Sequence, residues 1–157
     1  GNETYSLNYR KLLGRKLVSN LLFAKSRFDI YFGLGGDAGI GERDYVSDLT
    51  ARNDWTYFWS DKAQLKFGAE VKDLEFVYSA EGFGENLFES RTKTKEAAAY
   101  TKLKYWPSEK WMIEPGFRLG YYGNSANKIF YDPRFSTKYL LTDTRYLNFS
   151  IGIGFIF

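Results

Sequence analysis

The feature that most restricts the fold of this chain is a strict alternation of apolar and polar side chains. Between Trp111 and Tyr121 the odd-numbered positions are apolar or aromatic, whereas the even-numbered positions after Met112 are charged or small. Successive side chains of a β-strand point to opposite faces, so this pattern predicts a strand with one apolar and one polar face. No window keeps the i, i+3, i+4, i+7 spacing of an amphipathic helix over three turns.

The same alternation recurs along the chain and predicts eight strands in a single domain, residues 1–157. Residues 17–32 alternate less clearly and are assigned to a strand by their length and flanking turn signals. The other clear segments are residues 5–10, 48–57, 64–72, 96–105, 129–141 and 147–157. A chain of 157 residues is of the usual size for one domain, or for one piece of a larger one.

The predicted connections differ in length between the two ends of the strands. Tight turns are expected at residues 13–16, 60–62, 107–110 and 142–144, with long connections at 33–42 and 79–92 and an intermediate one at 123–128. Short turns at one end and longer loops at the other are typical of outer-membrane barrels. The predicted fold class is therefore all-β: an antiparallel transmembrane β-barrel with eight strands in this chain, either closed alone or part of a larger barrel.

The polar face is expected to line a lumen, because it mixes glycines with closely spaced charges of both signs. A buried charge persists only when it is paired, so we predict an internal ion-pair network. Glu114 and Arg118 on one strand are expected to face Asp132 and Arg134 on the next. The predicted network comprises Arg52, Glu70, Glu114, Arg118, Asp132, Arg134 and Lys138.

Aromatic residues gather near the predicted strand ends, as expected of belts at two membrane interfaces. The belt residues by the tight turns are Trp55, Tyr57, Trp59, Tyr105, Trp106 and Trp111, and those by the longer loops include Tyr121 and Tyr131. The predicted partner of the apolar face is outer-membrane lipid or detergent. An alternative is a soluble ligand-binding β-barrel, with the apolar face inside.

Composition excludes several kinds of chemistry. The chain has no Cys and no His, which rules out thiol nucleophiles, disulfides, Cys/His zinc sites and a Ser-His-Asp triad. The loose glycine pattern of residues 33–38 is not followed by the helix that a dinucleotide site needs, and residues 81–89 lack EF-hand spacing. The net charge of +3 is small and evenly spread. We therefore predict no enzyme activity, no cofactor, no metal and no nucleic-acid partner.

The turn pattern also bears on the whole protein. Strand 1 runs into a tight turn and strand 8 leaves one, so both termini are expected on the long-loop side. Single-chain bacterial barrels normally begin and end in the periplasm. This arrangement predicts an internal slice of a longer barrel.

Several segments resemble barrel hairpins of TonB-dependent outer-membrane receptors. The most specific are Trp111-Met-Ile-Glu-Pro-Gly-Phe-Arg-Leu-Gly-Tyr-Tyr and Tyr131-Asp-Pro-Arg-Phe-Ser-Thr-Lys-Tyr-Leu-Leu-Thr-Asp, and the resemblance covers roughly residues 5–151. It implies a barrel of about twenty-two strands closed by a plug domain. It also implies energy-coupled uptake of a bulky nutrient, such as an iron chelate, a cobalamin or a glycan, across a Gram-negative outer membrane.

This chain contains fewer than half of those strands and no plug, so its expected role is structural and not transport by itself. Its expected partners in a parent receptor are further barrel strands and a plug domain. The second hypothesis is a stand-alone eight-stranded outer-membrane barrel, natural or engineered, that acts as an adhesin or a structural protein.

Overall fold

The computed structural model describes residues 1–35, 39–83, 85–123 and 128–157. Its strands are β1 (Asn2–Leu13), β2 (Leu17–Leu34), β3 (Ile40–Ser60), β4 (Ala63–Gly82), β5 (Glu85–Ser108), β6 (Trp111–Gly123), β7 (Lys128–Thr142), β8 (Arg145–Gly152) and β9 (Phe155–Ile156). Strands β1 to β8 form one antiparallel sheet in chain order, and β9 pairs with β7. The all-β antiparallel prediction is confirmed. The described residues include no helix of the length and apolar character needed to cross a membrane.

Strands β8 and β9 are two parts of one continuous strand along β7. The register of β8 against β7 continues unchanged into β9, where Phe155 lies opposite Tyr131. The interruption lies opposite Pro133, whose carbonyl accepts a 3.2 Å hydrogen bond from the Ile153 amide. Proline has no N–H to return that bond, so the ladder has a gap at this point. The predicted strand over residues 147–157 therefore corresponds to β8 and β9 together.

The two faces of the sheet separate as the alternation predicts. Register places even-numbered residues opposite even-numbered ones across β1 to β7, for example Arg52 opposite Glu70 and Arg118 opposite Asp132. This polar face is the inner one, because two cavities of about 660 and 730 Å³ open on it. It is called the concave face below, and the opposite, odd-numbered face the convex face.

Apolar side chains lie mainly on the convex face and are exposed. In β6 they include Trp111, Phe117, Leu119 and Tyr121, each more than 40% exposed. Among the described residues no hydrophobic side chain is buried. The sheet is thus a single curved layer whose apolar surface faces outward and has no covering layer.

The sheet is open. Within the described residues β1 pairs only with β2, and β8 only with β7. Of the two predicted arrangements, a barrel closed by this chain alone would need β1 to pair with β8, and that closure is not observed. The concave face supplies a physical reason, because the lumen of an eight-stranded barrel is just filled by side chains and this face carries many long charged ones.

The predicted long loop over residues 79–92 is wrong, because its described residues other than Phe83 lie in β4 and β5. In the predicted loop 33–42, residues 33–34 and 40–42 are also strand. Strands β2 and β3 pair as far as Leu34 opposite Ile40, and β4 and β5 as far as Gly82 opposite Glu85. Backbone amides and carbonyls need hydrogen-bond partners, so the two polar segments of each hairpin pair their backbones with each other. The end where β2 to β5 continue is called the extended end, and the opposite one the turn end. Residues 36–38 of the glycine pattern, residue 84 of segment 81–89 and residues 124–127 of the predicted connection 123–128 lie outside the described residues.

Candidate functional site

The concave face is the candidate site, because it brings together most of the charged side chains singled out in the sequence. At its centre is Glu70 on β4, whose side chain is 11% exposed. The Glu70 carboxylate lies 3.4 Å from Arg118 Nη2, 3.7 Å from Lys72 Nζ and 3.9 Å from Arg52 Nη1. One carboxylate thus holds three cations from β3, β4 and β6, because cross-strand register puts their long side chains on the same face.

A tyrosine extends this cluster toward the turn end. The Tyr100 hydroxyl donates a hydrogen bond to Asp54, and Asp54 Oδ2 lies 3.1 Å from Arg52 Nε. Tyr100 lies directly over Gly68, where an added Cβ would come within 2.6 Å of the tyrosine oxygen and 2.8 Å of the Asn53 carbonyl oxygen. Only a glycine at position 68 leaves the tyrosine ring room to reach Asp54.

A second aromatic ring occupies the space above a glycine on the neighbouring strands. A Cβ at Gly120 would lie 1.9 Å from Phe130 Cζ. The Arg118 guanidinium is 5.9 Å from the centre of the Phe130 ring, a cation–π contact. The glycines expected to make room in a lumen therefore accommodate particular aromatic rings.

The remaining predicted lumen residues form separate pairs. Glu114 accepts a 2.9 Å hydrogen bond from Lys102, and its carboxylate forms no ion pair with Arg118, which instead reaches Glu70. Arg134 Nε donates to Asp132 at 2.8 Å. The Lys138 ammonium lies 3.8 Å from the centre of the Tyr146 ring. The expected single network is thus several smaller groups on one face.

Sequence reasoning placed four further participants on the polar face but did not select them for the network. These are Asp54, Lys72, Tyr100 and Lys102. The sequence signal that could have identified them is their even numbering within the predicted strands, which places them on the polar face. Alternation identifies the face of a side chain, but the partner depends on the register and twist of the neighbouring strands.

The aromatic belt residues divide between the faces. Trp59 is 63% exposed, and Tyr57, Tyr105 and Trp111 are between 37% and 45% exposed near the turn end. Tyr121 and Tyr131, at 42% and 39%, lie on the convex face farther along β6 and β7. Trp55 stacks on Phe67 with ring centres 5.4 Å apart. Trp106 differs from the rest, because it lies on the concave side, where Lys104 is 5.1 Å from its ring.

Charge replaces apolar surface on the convex face toward the extended end. Arg43 Nη2 lies 2.6 Å from Asp29 Oδ2, and Arg27 Nη2 is 3.4 Å from the same oxygen. The hydrogen bonds from Arg43, reinforced by its charge, hold the pKa of Asp29 below its ordinary value of 3.8. Arg91 pairs with Glu75 in the same region.

The site offers ion pairs and hydrogen bonds. In the parts of the chain that the structure describes, no group of three or more acidic side chains is arranged to hold a metal ion. Comparison of the sequence with protein-family models and with curated proteins gives no match. The functional argument therefore rests on the two faces and the two edges of the sheet.

Proposed function

We propose that this chain is a membrane-spanning part of a bacterial outer-membrane β-barrel, with its convex face in lipid and its concave face toward a lumen. The observation that carries the proposal is the apolar band on the exposed convex face. On β4 this band runs from Ala63 to Val71, and on β5 from Ala97 to Tyr105. Each segment is nine residues long, and a transmembrane β-strand needs about 9–11 residues.

The band has a sharp boundary toward the extended end. On β4, Val71 is followed on the same face by Asp73 and Glu75, and on β5 Ala97 is preceded by Lys95 and Lys93. Charged side chains are costly on the lipid face at the membrane midplane and nearly free at its interfaces. The change from apolar to charged residues on neighbouring strands therefore marks where the strands leave the hydrocarbon.

The direction of curvature argues against a soluble ligand-binding barrel. Such a barrel places its apolar face inside, around the ligand. Here the cavities open on the face that carries Arg52, Glu70 and Arg118, and the apolar side chains lie on the outside. An exposed apolar surface of this extent suits lipid contact.

The two free edges favour a larger barrel over a small closed one. Each edge strand presents a row of backbone amides and carbonyls that lipid cannot satisfy, at several kcal/mol for each group. Additional strands beside β1 and β8 would satisfy them. Together with the two receptor-like segments in β6 and β7, this supports a section of a TonB-dependent receptor wall. The nutrient, the plug and the energy coupling belong to the complete receptor.

Spin labels on this chain, assembled with the rest of its barrel in phospholipid vesicles, test the proposal. Cysteines replace Leu119 and Ile151 on the convex face, and Ser136 on the concave face serves as the matched control. We expect oxygen to reach the labels at 119 and 151 and a water-soluble nickel complex to be excluded from them, with the opposite result at 136. Access of the nickel complex to both convex positions would overturn the proposal.

A further inference from the structure

Charge is distributed unevenly along the concave face. Asp54 and Tyr100 lie in one row of residues that runs across the strands, and the part of the face from this row to the tight turns is its turn-end half. This half carries seven cations and three carboxylates. The cations are Arg10, Lys66, Lys102, Lys104, Arg118, Arg134 and Lys138, and the carboxylates are Asp54, Glu114 and Asp132. The extended-end half has the opposite balance. Its cations are Arg52, Lys72 and Lys128, and its carboxylates Glu42, Asp44, Asp48, Glu70 and Glu96.

Among the described residues, four of the turn-end cations form no ion pair: Arg10, Lys66, Lys104 and Lys138, of which Lys104 and Lys138 lie beside aromatic rings. Lys66 and Lys102 are direct cross-strand partners, an arrangement that is unfavourable for like charges. Glu114 pairs with Lys102 at 2.9 Å. Among the described residues, no hydrogen bond or ion pair involves the side-chain nitrogens of Lys66 or Arg10.

The unpaired Arg10 and Lys66 line the same cavity as Lys102, which is paired with Glu114. The cavity of about 730 Å³ is bounded by Arg10 on β1, Lys66 on β4 and Lys102 on β5. Asn8, Asn20 and Thr56 add neutral hydrogen-bonding groups to its wall. The wall also includes the carboxylate of Asp54, which already accepts a hydrogen bond from Tyr100 and pairs with Arg52. The three cations come from different strands, so they surround the space and can contact separate groups of one ligand.

We propose that this cavity binds a compact polyanion that carries several oxyanion groups, such as an oligophosphate. A ligand of this class would neutralise Lys66 and Arg10 and relieve the repulsion between Lys66 and Lys102. Hydrogen bonds from charged donors to oxyanions are short and about twice as strong as neutral ones. A monoanion can contact only part of this cationic wall, so the arrangement favours multiple charges.

This binding site is independent of the membrane proposal. It requires only the register of β1 to β5 and the side chains on the concave face. The wall role of the chain would stand if no polyanion bound. Conversely, the cavity would retain its charge if the convex face lay against protein.

Calorimetric titration with inorganic tripolyphosphate tests the inference on the folded full chain in a neutral detergent. We compare the unchanged chain with Lys66→Gln and Arg10→Gln, and use Lys95→Gln on the convex face as the matched control. Loss of one charged hydrogen bond corresponds to about tenfold weaker binding. We expect that loss for each concave variant, no change for Lys95→Gln, and weaker binding of the unchanged chain as salt rises. Absence of saturable binding, or an equal loss in the Lys95→Gln control, would overturn the proposal.

Lysine footprinting gives a second measurement that needs no variant. The folded chain is acetylated with and without tripolyphosphate, and the modified lysines are identified by mass spectrometry. Bound polyanion should slow modification of Lys66 and Lys102 and leave Lys95 unchanged. Equal rates at Lys66 with and without tripolyphosphate would contradict binding in this cavity.

Discussion

Replacing Phe117 by arginine tests directly whether the convex face lies in hydrocarbon. Phe117 lies near the middle of the apolar band on β6, is 43% exposed, and its ring centre is 6.3 Å from that of Tyr131. Arginine at the midplane of a lipid-facing barrel surface costs about 2–4 kcal/mol. On a water-exposed surface a substitution away from special features changes stability by only about 0.5 kcal/mol. The two environments thus predict clearly different free energies of unfolding.

Two control variants isolate the effect of lipid. Phe117→Leu removes the aromatic contact with Tyr131, worth about 0.5–1.5 kcal/mol, without adding charge. Ser47→Arg adds the same charge on the same face, but beyond the band and opposite Glu75. Near the interface we expect it to cost only about 0–1 kcal/mol.

The measurement is equilibrium unfolding by urea or guanidinium from phospholipid vesicles. We expect Phe117→Arg to be less stable than Phe117→Leu by about 2–4 kcal/mol. A difference of about 0.5 kcal/mol or less would refute the lipid-facing assignment of the band. A penalty of the same size for Ser47→Arg would refute the proposed boundary.

Three further predictions concern particular contacts. Gly68→Ala should destabilise the fold by about 1–3 kcal/mol, because the new Cβ would overpack against Tyr100 and the Asn53 carbonyl. Gly152→Ala is the control in the same unfolding assay. It should be tolerated, because its new Cβ would meet no atom closer than 3.5 Å. In a double-mutant cycle, the effects of Lys102→Met and Glu114→Gln on the free energy of unfolding should couple by about 0.5–1 kcal/mol, because both groups are partly solvated. The effects of Glu114→Gln and Arg118→Met should instead be additive within about 0.5 kcal/mol. A larger coupling for the second pair than for the first would contradict the observed pairing. The stabilisation that Asp29 gains from Arg43 should be fully present above pH 3.8 and be lost as pH falls through the lower pKa of the folded state. Carboxyl NMR should therefore give a higher pKa for Asp29 in Arg43→Gln than in the unchanged chain. An unchanged pKa would contradict the pairing.

Much of the fold follows from local alternation. A side chain two residues along a strand returns to the same face, so the composition of both faces of β6 and β7 is readable without any tertiary information. Connections much shorter than the dozen or more residues of a parallel crossover, such as residues 123–128 between these two strands, then make neighbours antiparallel. These two local rules are sufficient to predict that Arg118 and Asp132 lie on one face of adjacent strands.

Partner choice within the site required the tertiary structure. Glu114 could approach either of two cations on its own face, and it pairs with Lys102 on β5 while Arg118 reaches Glu70. Side-chain direction, strand twist and the space above Gly68 and Gly120 decide between such partners. None of these features produces a repeating pattern in the sequence, so alternation cannot predict them.

Sequence alone therefore determined the strand character, the two unlike faces and the antiparallel order, because each depends on residues close together in the chain. The tertiary structure decided that the sheet curves around its polar face, that its strands continue through the predicted loops, and that β1 and β8 do not meet. Curvature and closure are sums of small twists and register choices over all strands. Long-range closure depends on whether the side chains of the whole concave face fit together, which no single segment specifies.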